Sequence, residues 1–296
     1  MTAGHISARG GYATPRGLMR RRGMSIIMVT LTCLAAALAV VPLIVILAYL
    51  LKEGAGSLSL DFFTRMPAPV GEAHGGMANA IVGTLILIGI ASVVGLPVGI
   101  GAGLYLAERQ GTKIANGVRF LADVLNGLPS IVMGIFAWQF LVRPFGHFSA
   151  LAGGAAIGAM MIPLVTRTTE EMVRTVPHSL REAALALGYP RWRTSLQIVL
   201  RTALGGIVTG VLVAVARVAG ETAPLLFTAF GNQFWSTKLT QPIAALPVQI
   251  FAYAISAYDE WHRQAWAGAL VLIALVLVIS LLARLVTRSQ HGGGND

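Results

Sequence analysis

The sequence predicts an all-α integral membrane protein with six transmembrane helices. Hydrophobic residues make up 55% of the 296 residues, charged residues only 11%, and the mean hydropathy is +0.73. Soluble domains carry roughly 25% charged residues, so this chain lacks the polar surface that a soluble protein of its size would need. The apolar residues also form long runs of the kind that cross a lipid bilayer.

Six apolar runs define the predicted transmembrane helices. We expect the spans at 24–51, 79–106, 118–142, 150–165, 203–223 and 266–285, with a helical continuation of the fourth past Arg167. The first run is too long for the apolar core of a signal peptide, so it is predicted to be retained as a helix. Glycines that repeat every four residues predict close helix–helix contacts. These glycines are Gly95, Gly99 and Gly103, and Gly206 and Gly210.

The distribution of positive charge predicts the topology. Six spans place both termini on one side, which carries sixteen of the Lys and Arg residues, whereas the opposite side carries five. By the positive-inside rule, both termini and the loop at about 166–202 are cytoplasmic. The predicted organisation is a basic tail (1–23), a first helix (24–51), an external loop (52–78), a five-helix domain (79–286) and a tail (287–296). This topology accounts for the net charge of +10 without nucleic-acid binding.

Several kinds of site are not expected from the sequence. The single cysteine, Cys33, excludes an intrachain disulfide, and the six histidines have no metal-ligand spacing, so no metal site is predicted. No G-x-x-x-x-G-K-[ST] loop is present. A phosphate-binding loop of that type is therefore not expected on this chain, and the chain is not predicted to be an enzyme.

The cytoplasmic loop contains a predicted short helix. Ser179 followed by Glu182 is a capping-box pattern, the alanines and leucines that follow favour a helix, and Gly188 with Pro190 stops it. A compact helix at the cytoplasmic face is suited to docking in a groove of a partner protein. A plain interfacial helix is the alternative interpretation.

This loop resembles the EAA loop of the binding-protein-dependent ABC importer permeases. The pattern E-A-A-x₃-G-x₉-I-x-L-P is matched except at its last position, where Arg201 replaces proline. The resemblance implies the type I ABC importer permease fold and a loop helix that docks in a separate cytoplasmic ATPase. The implied coupling residues are Glu182, Ala183, Ala184 and Gly188.

Two charged residues lie within the predicted fifth span. Arg217 and Glu221 are four residues apart, so they are expected to share one helix face, where they could pair. One interpretation is an ion pair that only fixes helix packing. The other is a cationic site on the path of an anion, because the planar fork of arginine binds oxyanions through two hydrogen bonds.

Polar residues also occur in the predicted third and fourth spans. Asp123, with Pro129 and Ser130, is expected to form a structural polar kink, and the alternative is part of the lining of a translocation path. Glu170 and Glu171 are expected at a solvated helix end below the membrane.

Two further segments narrow the resemblance to one group within the ABC importer permeases. Residues 216–226 and 123–132 resemble the signatures of phosphate ABC transporter permeases of the PstA type. The resemblance implies that Arg217 and Glu221 take part in transport. It also implies a multi-pass location in the bacterial inner membrane, a related second permease, an ATPase dimer that supplies the ATP and Mg²⁺ sites, and an external phosphate-binding protein. No cofactor is expected on this chain itself.

Three other interpretations remain open at the level of sequence. The first is an ABC permease for another oxyanion, such as sulfate, molybdate or phosphonate. The second is an ion-coupled secondary transporter, although the two halves of the chain show none of the inverted-repeat symmetry typical of that class. The third is a membrane-embedded enzyme, although no Ser/His/Asp set lies within the spans.

Overall fold

The computed structural model describes residues 15–69, 72 and 75–291, and every named element in this part of the chain is helical. Among the described residues, five helices are long and apolar enough to cross a membrane, and a sharply bent helix pair provides a sixth crossing if it counts as one span. The predicted all-α membrane fold is confirmed. Most of the two predicted tails, at 1–14 and 292–296, lies outside the described residues.

The chain divides into two units, 1–52 and 53–296. The described part of the first unit belongs to helix α1 (Pro15–Gly56), which runs a few residues past the division and contains the predicted span 24–51. The helix begins before this span because proline is favourable at the first helical position. Its apolar side chains are mostly exposed, as for Leu38 with 79% exposure, which suits contact with lipid.

The second unit begins with a short helix and a long one. Helix α2 (Leu60–Thr64) lies within the predicted external loop, and Ser59 caps it by accepting a hydrogen bond from the N–H of Phe62. Helix α3 (Ala78–Glu108) contains the predicted span 79–106 and passes through Pro97 without interruption.

The predicted third span is two helices rather than one. Helix α4 (Lys113–Gly127) and helix α5 (Ser130–Ala137), which continues as a π-helical turn (Trp138–Val142), meet at an angle of 106°. Proline has no N–H and disfavours the α conformation in the residue before it. Leu128 accordingly adopts ψ 137° before Pro129. The predicted span over 118–142 is therefore a broken one, and the break lies at Pro129, within the kink expected at Asp123, Pro129 and Ser130.

The fourth span and the following loop agree more closely with the sequence. Helix α6 (Ala150–Arg174) continues past Arg167, as predicted. After it come helix α7 (His178–Ala186), the single turn α8 (Arg191–Arg193), a π-helical turn (Thr194–Val199) and helix α9 (Leu200–Ala219). The fifth span thus runs from Arg191 to Ala219 and ends before the predicted boundary at residue 223.

Three further helices follow α9 in the described part of the chain. Helix α10 (Ala223–Thr228) and helix α11 (Leu246–Ala254) precede the last span, helix α12 (Asp259–His291). The loop between α10 and α11 supplies backbone acceptors to other helices. The carbonyls of Gln241 and Leu239 accept from the first N–H groups of α6, and the side-chain amide of Asn79 donates to the carbonyls of Asn232 and Gln233. This loop therefore covers the end of α6 that lies opposite α7.

Helices α3 and α6 pack through the predicted glycine row. A Cβ atom placed on Gly95 would lie 2.9 Å from the carbonyl oxygen of Gly158, and one on Gly103 would lie 2.5 Å from that of Thr166. Gly99 faces the side chain of Val165 in the same way. The close contact predicted from the four-residue spacing is confirmed, because only glycine permits this backbone approach.

Candidate coupling loop and translocation site

Helix α7 carries three of the four predicted coupling residues, and the fourth, Gly188, follows its end. The beginning of the helix differs from the prediction. The helix starts at His178 with Pro177 at the N-cap, and no side chain caps it. The predicted capping box between Ser179 and Glu182 was therefore wrong. Proline with φ −58° and ψ 139° occupies the cap, which places Ser179 inside the first turn, where its hydroxyl is out of register for capping.

The end of α7 is as the sequence predicts. Gly188 has φ +84°, the left-handed conformation that favours glycine. The N–H of Gly188 donates to the carbonyl of Leu185, and the N–H of Tyr189 donates to the carbonyl of Ala184. These two bonds form a Schellman motif, which ends the helix sharply and returns the chain toward α9.

The two sides of α7 have different surroundings. Ala184 is buried, at 3% exposure, whereas Glu182 and Ala183 are exposed. Leu187 is 78% exposed and Leu180 41% exposed. Leu180, Ala183 and Leu187 follow a three-and-four spacing, so they form one apolar face of the helix that the described part of the chain leaves exposed.

The predicted pair of Arg217 and Glu221 does not form in this structure. Helix α9 ends at Ala219, and the N–H of Glu221 donates to the carbonyl of Val218 in a tight turn. Glu221 therefore lies beyond the helix rather than one turn above Arg217 on the same face. The ion pairs between described residues include neither of the two side chains. Arg217 is exposed, and Glu221 is half-buried.

Helix α5, which begins within one signature segment, packs against α10, which begins within the other. A Cβ atom on Gly134 of α5 would lie 2.8 Å from the Cα of Pro224, the second residue of α10. Pro224 follows Glu221 by three residues, and Ser130 begins α5 directly after the break at Pro129. The turn after Arg217 and the helix that starts at Ser130 thus belong to one packed region, although they are far apart in the sequence.

Asp123 lies on α4, before the break, and is paired. Its Oδ1 is 3.0 Å from the Nε of Arg167 on α6, so it joins these two helices. The expected kink is present, but it results from Pro129 rather than from the polarity of Asp123. Pro129 is exposed and Ser130 is half-buried.

Sequence reasoning missed a network around Glu170. Its side chain is 1% exposed, which contradicts the expectation of a solvated position, whereas Glu171 is exposed as expected. Glu170 binds Arg119 of α4 at 2.6 Å and Arg167 at 2.9 Å, and Arg174 lies 3.8 Å away. A buried carboxylate needs such partners. The positions of Arg167 and Arg174, three residues before and four after Glu170, were the available signal.

These features define the chain as a multi-pass membrane protein with a helix exposed outside its spans. The chain belongs to the family of binding-protein-dependent transport system inner membrane components, whose model matches residues 99–291. This match covers α3 from Gly99 onward, the bent pair, α7 and the last three spans.

Individual relatives are similar over most of the chain. The chain is 50% identical over 252 residues to the phosphate transport system permease protein PstA of Yersinia pestis, covering 84% of this chain and 85% of the relative. It is 47% identical over 267 residues to the protein of the same description from Xylella fastidiosa (strain Temecula1), covering 90% and 93%. A probable phosphate transport system permease protein PstA of Methanocaldococcus jannaschii is 37% identical over 243 residues, covering 82% and 86%.

Solved structures share the fold at lower identity. A chain of a bacterial alginate ABC transporter, crystallised with an alginate-bound periplasmic protein, matches with a TM-score of 0.64 and 14% identity, covering 93% of this chain and 98% of that one. A chain of the inward-facing methionine ABC transporter MetNI matches with a TM-score of 0.58 and 18% identity, covering 72% and 96%. The fold is therefore that of ABC importer permeases.

Proposed function

We propose that this chain is the membrane-spanning permease subunit of an ATP-driven phosphate importer. The relatives named above, at 47–50% identity, are phosphate permeases, and the family transports with a binding protein. The observation that carries the proposal is the exposed apolar face of α7, ended by Gly188 in a left-handed conformation. This face has the form that docks in a groove of a partner.

The proposed partners are a cytoplasmic ABC ATPase dimer, a related second permease and an external phosphate-binding protein. Glu182, Ala183, Ala184 and Gly188 are the residues that we assign to ATPase coupling. One α7 helix per chain and two clefts in an ATPase dimer favour a pair of permeases. ATP and Mg²⁺ are bound by the ATPase in this arrangement.

In the proposed topology both termini and α7 are cytoplasmic, which agrees with the excess of Lys and Arg on that side. Because Cys33 is the single cysteine, Cys33→Ser provides a background for single-cysteine labelling. With a membrane-impermeant maleimide, Ala183→Cys is expected to react only from the cytoplasmic side. Trp235→Cys, in the loop between α10 and α11, is expected to react only from outside. The reverse pattern would refute the topology.

We assign anion handling to Arg217, with Glu221 close by to limit how tightly the anion binds. Arg217 is exposed near the end of α9 and has no acidic partner among the described residues, so its guanidinium is available to an oxyanion. Ser130 and Pro129 begin α5, which packs against α10, and are candidates for the lining of the same path, with Asp123 one helix earlier.

The direct test is transport by the purified complex in proteoliposomes. With ATP in the lumen and the binding protein outside, uptake of phosphate is expected, and sulfate, molybdate and phosphonate are not expected to compete. If one of these anions at equal concentration competed with phosphate for uptake, the alternative function, a permease for another oxyanion, would be favoured. Uptake that follows an ion gradient and not ATP would favour a secondary transporter.

The docking surface has its own test. Leu187→Asp places a charge on the apolar face of α7 and is expected to abolish co-purification of the ATPase. Phe234→Asp is the matched control, because Phe234 is 74% exposed but lies in the loop that covers the opposite end of α6. Retention of the ATPase by Leu187→Asp would contradict docking through this face.

A further inference from the structure

A side chain on α7 links this helix to two spans. The Nη1 of Arg181 is 2.7 Å from Oε1 of Glu108, the last residue of α3, and its Nη2 donates to the carbonyl of Val173 in the last turn of α6 at 3.3 Å. Arg181 is 17% exposed and Glu108 32% exposed, so the pair is partly shielded from water. The cation also lies near the C-terminal ends of both helices, where the helix dipoles favour positive charge.

We propose that Arg181 is a positioning residue that fixes the angle of α7 relative to α3 and α6, so that force applied to α7 moves these two spans together. The inference rests on the proposed function, because the force is assigned to the ATPase. It adds a residue, Arg181, and a contact, with Glu108, that the EAA pattern does not include.

The connectivity of the chain makes such a link necessary. Residues 175–177 join α7 to α6, and residues 187–190 join it to α8 and α9, but no covalent connection of this kind leads to α3. A push on the exposed face of α7 could therefore bend the short connection at 175–177 and leave α3 in place. The bonds from Arg181 to the ends of α3 and α6 oppose this bending.

The residues around Arg181 are packed so that a movement of α7 can be transmitted to α3 and α6. Beneath it, Ala107, Val173 and Val199 belong to one buried cluster, which joins the ends of α3, α6 and the turn before α9. Farther along, α3 and α6 are in backbone contact through Gly95, Gly99 and Gly103. A displacement that reaches Glu108 and Val173 is therefore carried by a closely packed helix pair, which resists internal deformation.

The test compares variants of the complete transport complex in proteoliposomes. Arg181→Gln and Glu108→Gln are expected to retain assembly and ATP hydrolysis but to lower the phosphate imported per ATP roughly three- to tenfold. The double variant is expected to be no worse than Arg181→Gln, because Glu108 acts through Arg181. The proposal would be overturned if both single variants imported as much phosphate per ATP as the wild type.

A matched control removes the same charge from the same loop. Arg191 lines a cavity of about 210 Å³ together with Glu108 and Arg181, and it has no ion pair among the described residues. Arg191→Gln is expected to import as much phosphate per ATP as the wild type. If this variant lost as much phosphate import per ATP as Arg181→Gln, the effect would be due to the charge of the loop, and the positioning role of Arg181 would be refuted. If the complex with Arg181→Gln does not assemble, Glu108→Gln alone tests the proposal, because this variant retains Arg181 and its hydrogen bond to the carbonyl of Val173.

A second measurement does not depend on the substrate or on ATP. In the Cys33→Ser background, spin labels on Ser179→Cys in α7 and Gly101→Cys in α3 report the distance between the two helices. The distance distribution is expected to broaden in Arg181→Gln and in Glu108→Gln but not in Arg191→Gln. Unchanged distributions would overturn the proposal even if phosphate were not the substrate, whereas broadening without phosphate transport would refute only the proposed function.

Discussion

Arg119 of α4 and Glu170 of α6, which are 51 residues apart in the sequence, form the shortest contact in a charge network around the buried Glu170, with Nη2 2.6 Å from Oε1. The Nε of Arg119 donates to the same oxygen at 3.1 Å. Arg167 binds Glu170 and also Asp123 of α4, so two side chains from each helix hold α4 against α6. The buried apolar side chains of α4 are small, Ala115 and Ala122, whereas the large Phe120 is 70% exposed.

We expect Glu170→Gln to destabilise the protein by about 2 kcal/mol, the amount typical for hydrogen bonds between charged groups. The glutamine would fill the same volume but leave Arg119 and Arg167 without their shared anion. Thermal unfolding in detergent provides the measurement. Glu171→Gln is the matched control, since Glu171 is exposed on the next position of α6, and it is expected to have no effect. Equal unfolding temperatures for both variants would contradict a structural role of the network.

The glycine row of α3 provides a second stability test. Gly103→Ala would bring a Cβ atom to 2.5 Å from both the carbonyl oxygen of Thr166 and the Cβ of Thr169, so α6 would have to move away. We expect a loss of about 1–3 kcal/mol, the usual range for overpacking. Gly101→Ala, on the open side of the same helix with no atom within 4 Å, should be neutral or slightly stabilising. Thermal unfolding of the two variants distinguishes packing from helix propensity.

The long spans and a kink in the third could be predicted from the sequence, but the complete break of that span into two helices could not. Pro42, Pro97 and Pro163 all lie inside continuous helices, whereas Pro129 separates α4 from α5 by 106°. Composition does not distinguish these cases, because neighbouring helices in a membrane protein can satisfy the backbone groups that a proline leaves unpaired. Whether a proline interrupts a span therefore depends on tertiary contacts, such as that of Gly134 with Pro224.

Those features of the candidate site that depend on local backbone geometry could be predicted from the sequence. Those that depend on contacts between residues far apart in the sequence were missed. The left-handed end of α7 at Gly188 follows from local rules of helix termination, and it is present. The burial of Glu170 depends on Arg119 from another helix, and a single sequence does not reveal that pairing. The pairing of Arg217 with Glu221 failed because it required the helix to continue two residues past its actual end at Ala219.

Gly188→Val should reduce coupling between ATP hydrolysis and transport. A β-branched residue at φ +84° costs roughly 1–2 kcal/mol or more, so the Schellman motif would rearrange and change the end of α7. Phosphate uptake per ATP in proteoliposomes is the measurement, and Gly188→Asn should retain most of the activity because asparagine tolerates this conformation. Gly111→Val controls for strain in general, since Gly111 has φ +80° in the loop between α3 and α4. Wild-type phosphate uptake per ATP in Gly188→Val would contradict the coupling role of Gly188.

Arg217→Gln should abolish phosphate uptake while the complex still assembles. An arginine within a span costs at least about 2.5–3.5 kcal/mol on insertion scales, and no ion pair with a described residue offsets that cost here. Arg217→Lys should restore uptake only in part, because a point charge replaces a planar fork. Arg201→Gln is the matched control, since Arg201 is exposed at the start of the same helix and likewise lacks an ion pair with a described residue.

The double variant Arg217→Gln with Glu221→Gln separates an anion site from a structural pair. If the two charges only compensated each other, removing both would restore assembly and uptake together. The turn at Gly220 places Glu221 beyond the helix and leaves the two side chains unpaired in this structure, so compensation is not expected. We therefore expect the double variant to assemble and to remain inactive, because the anion has lost its guanidinium. Wild-type uptake by this variant would refute the role of Arg217 in translocation and leave the permease assignment unchanged.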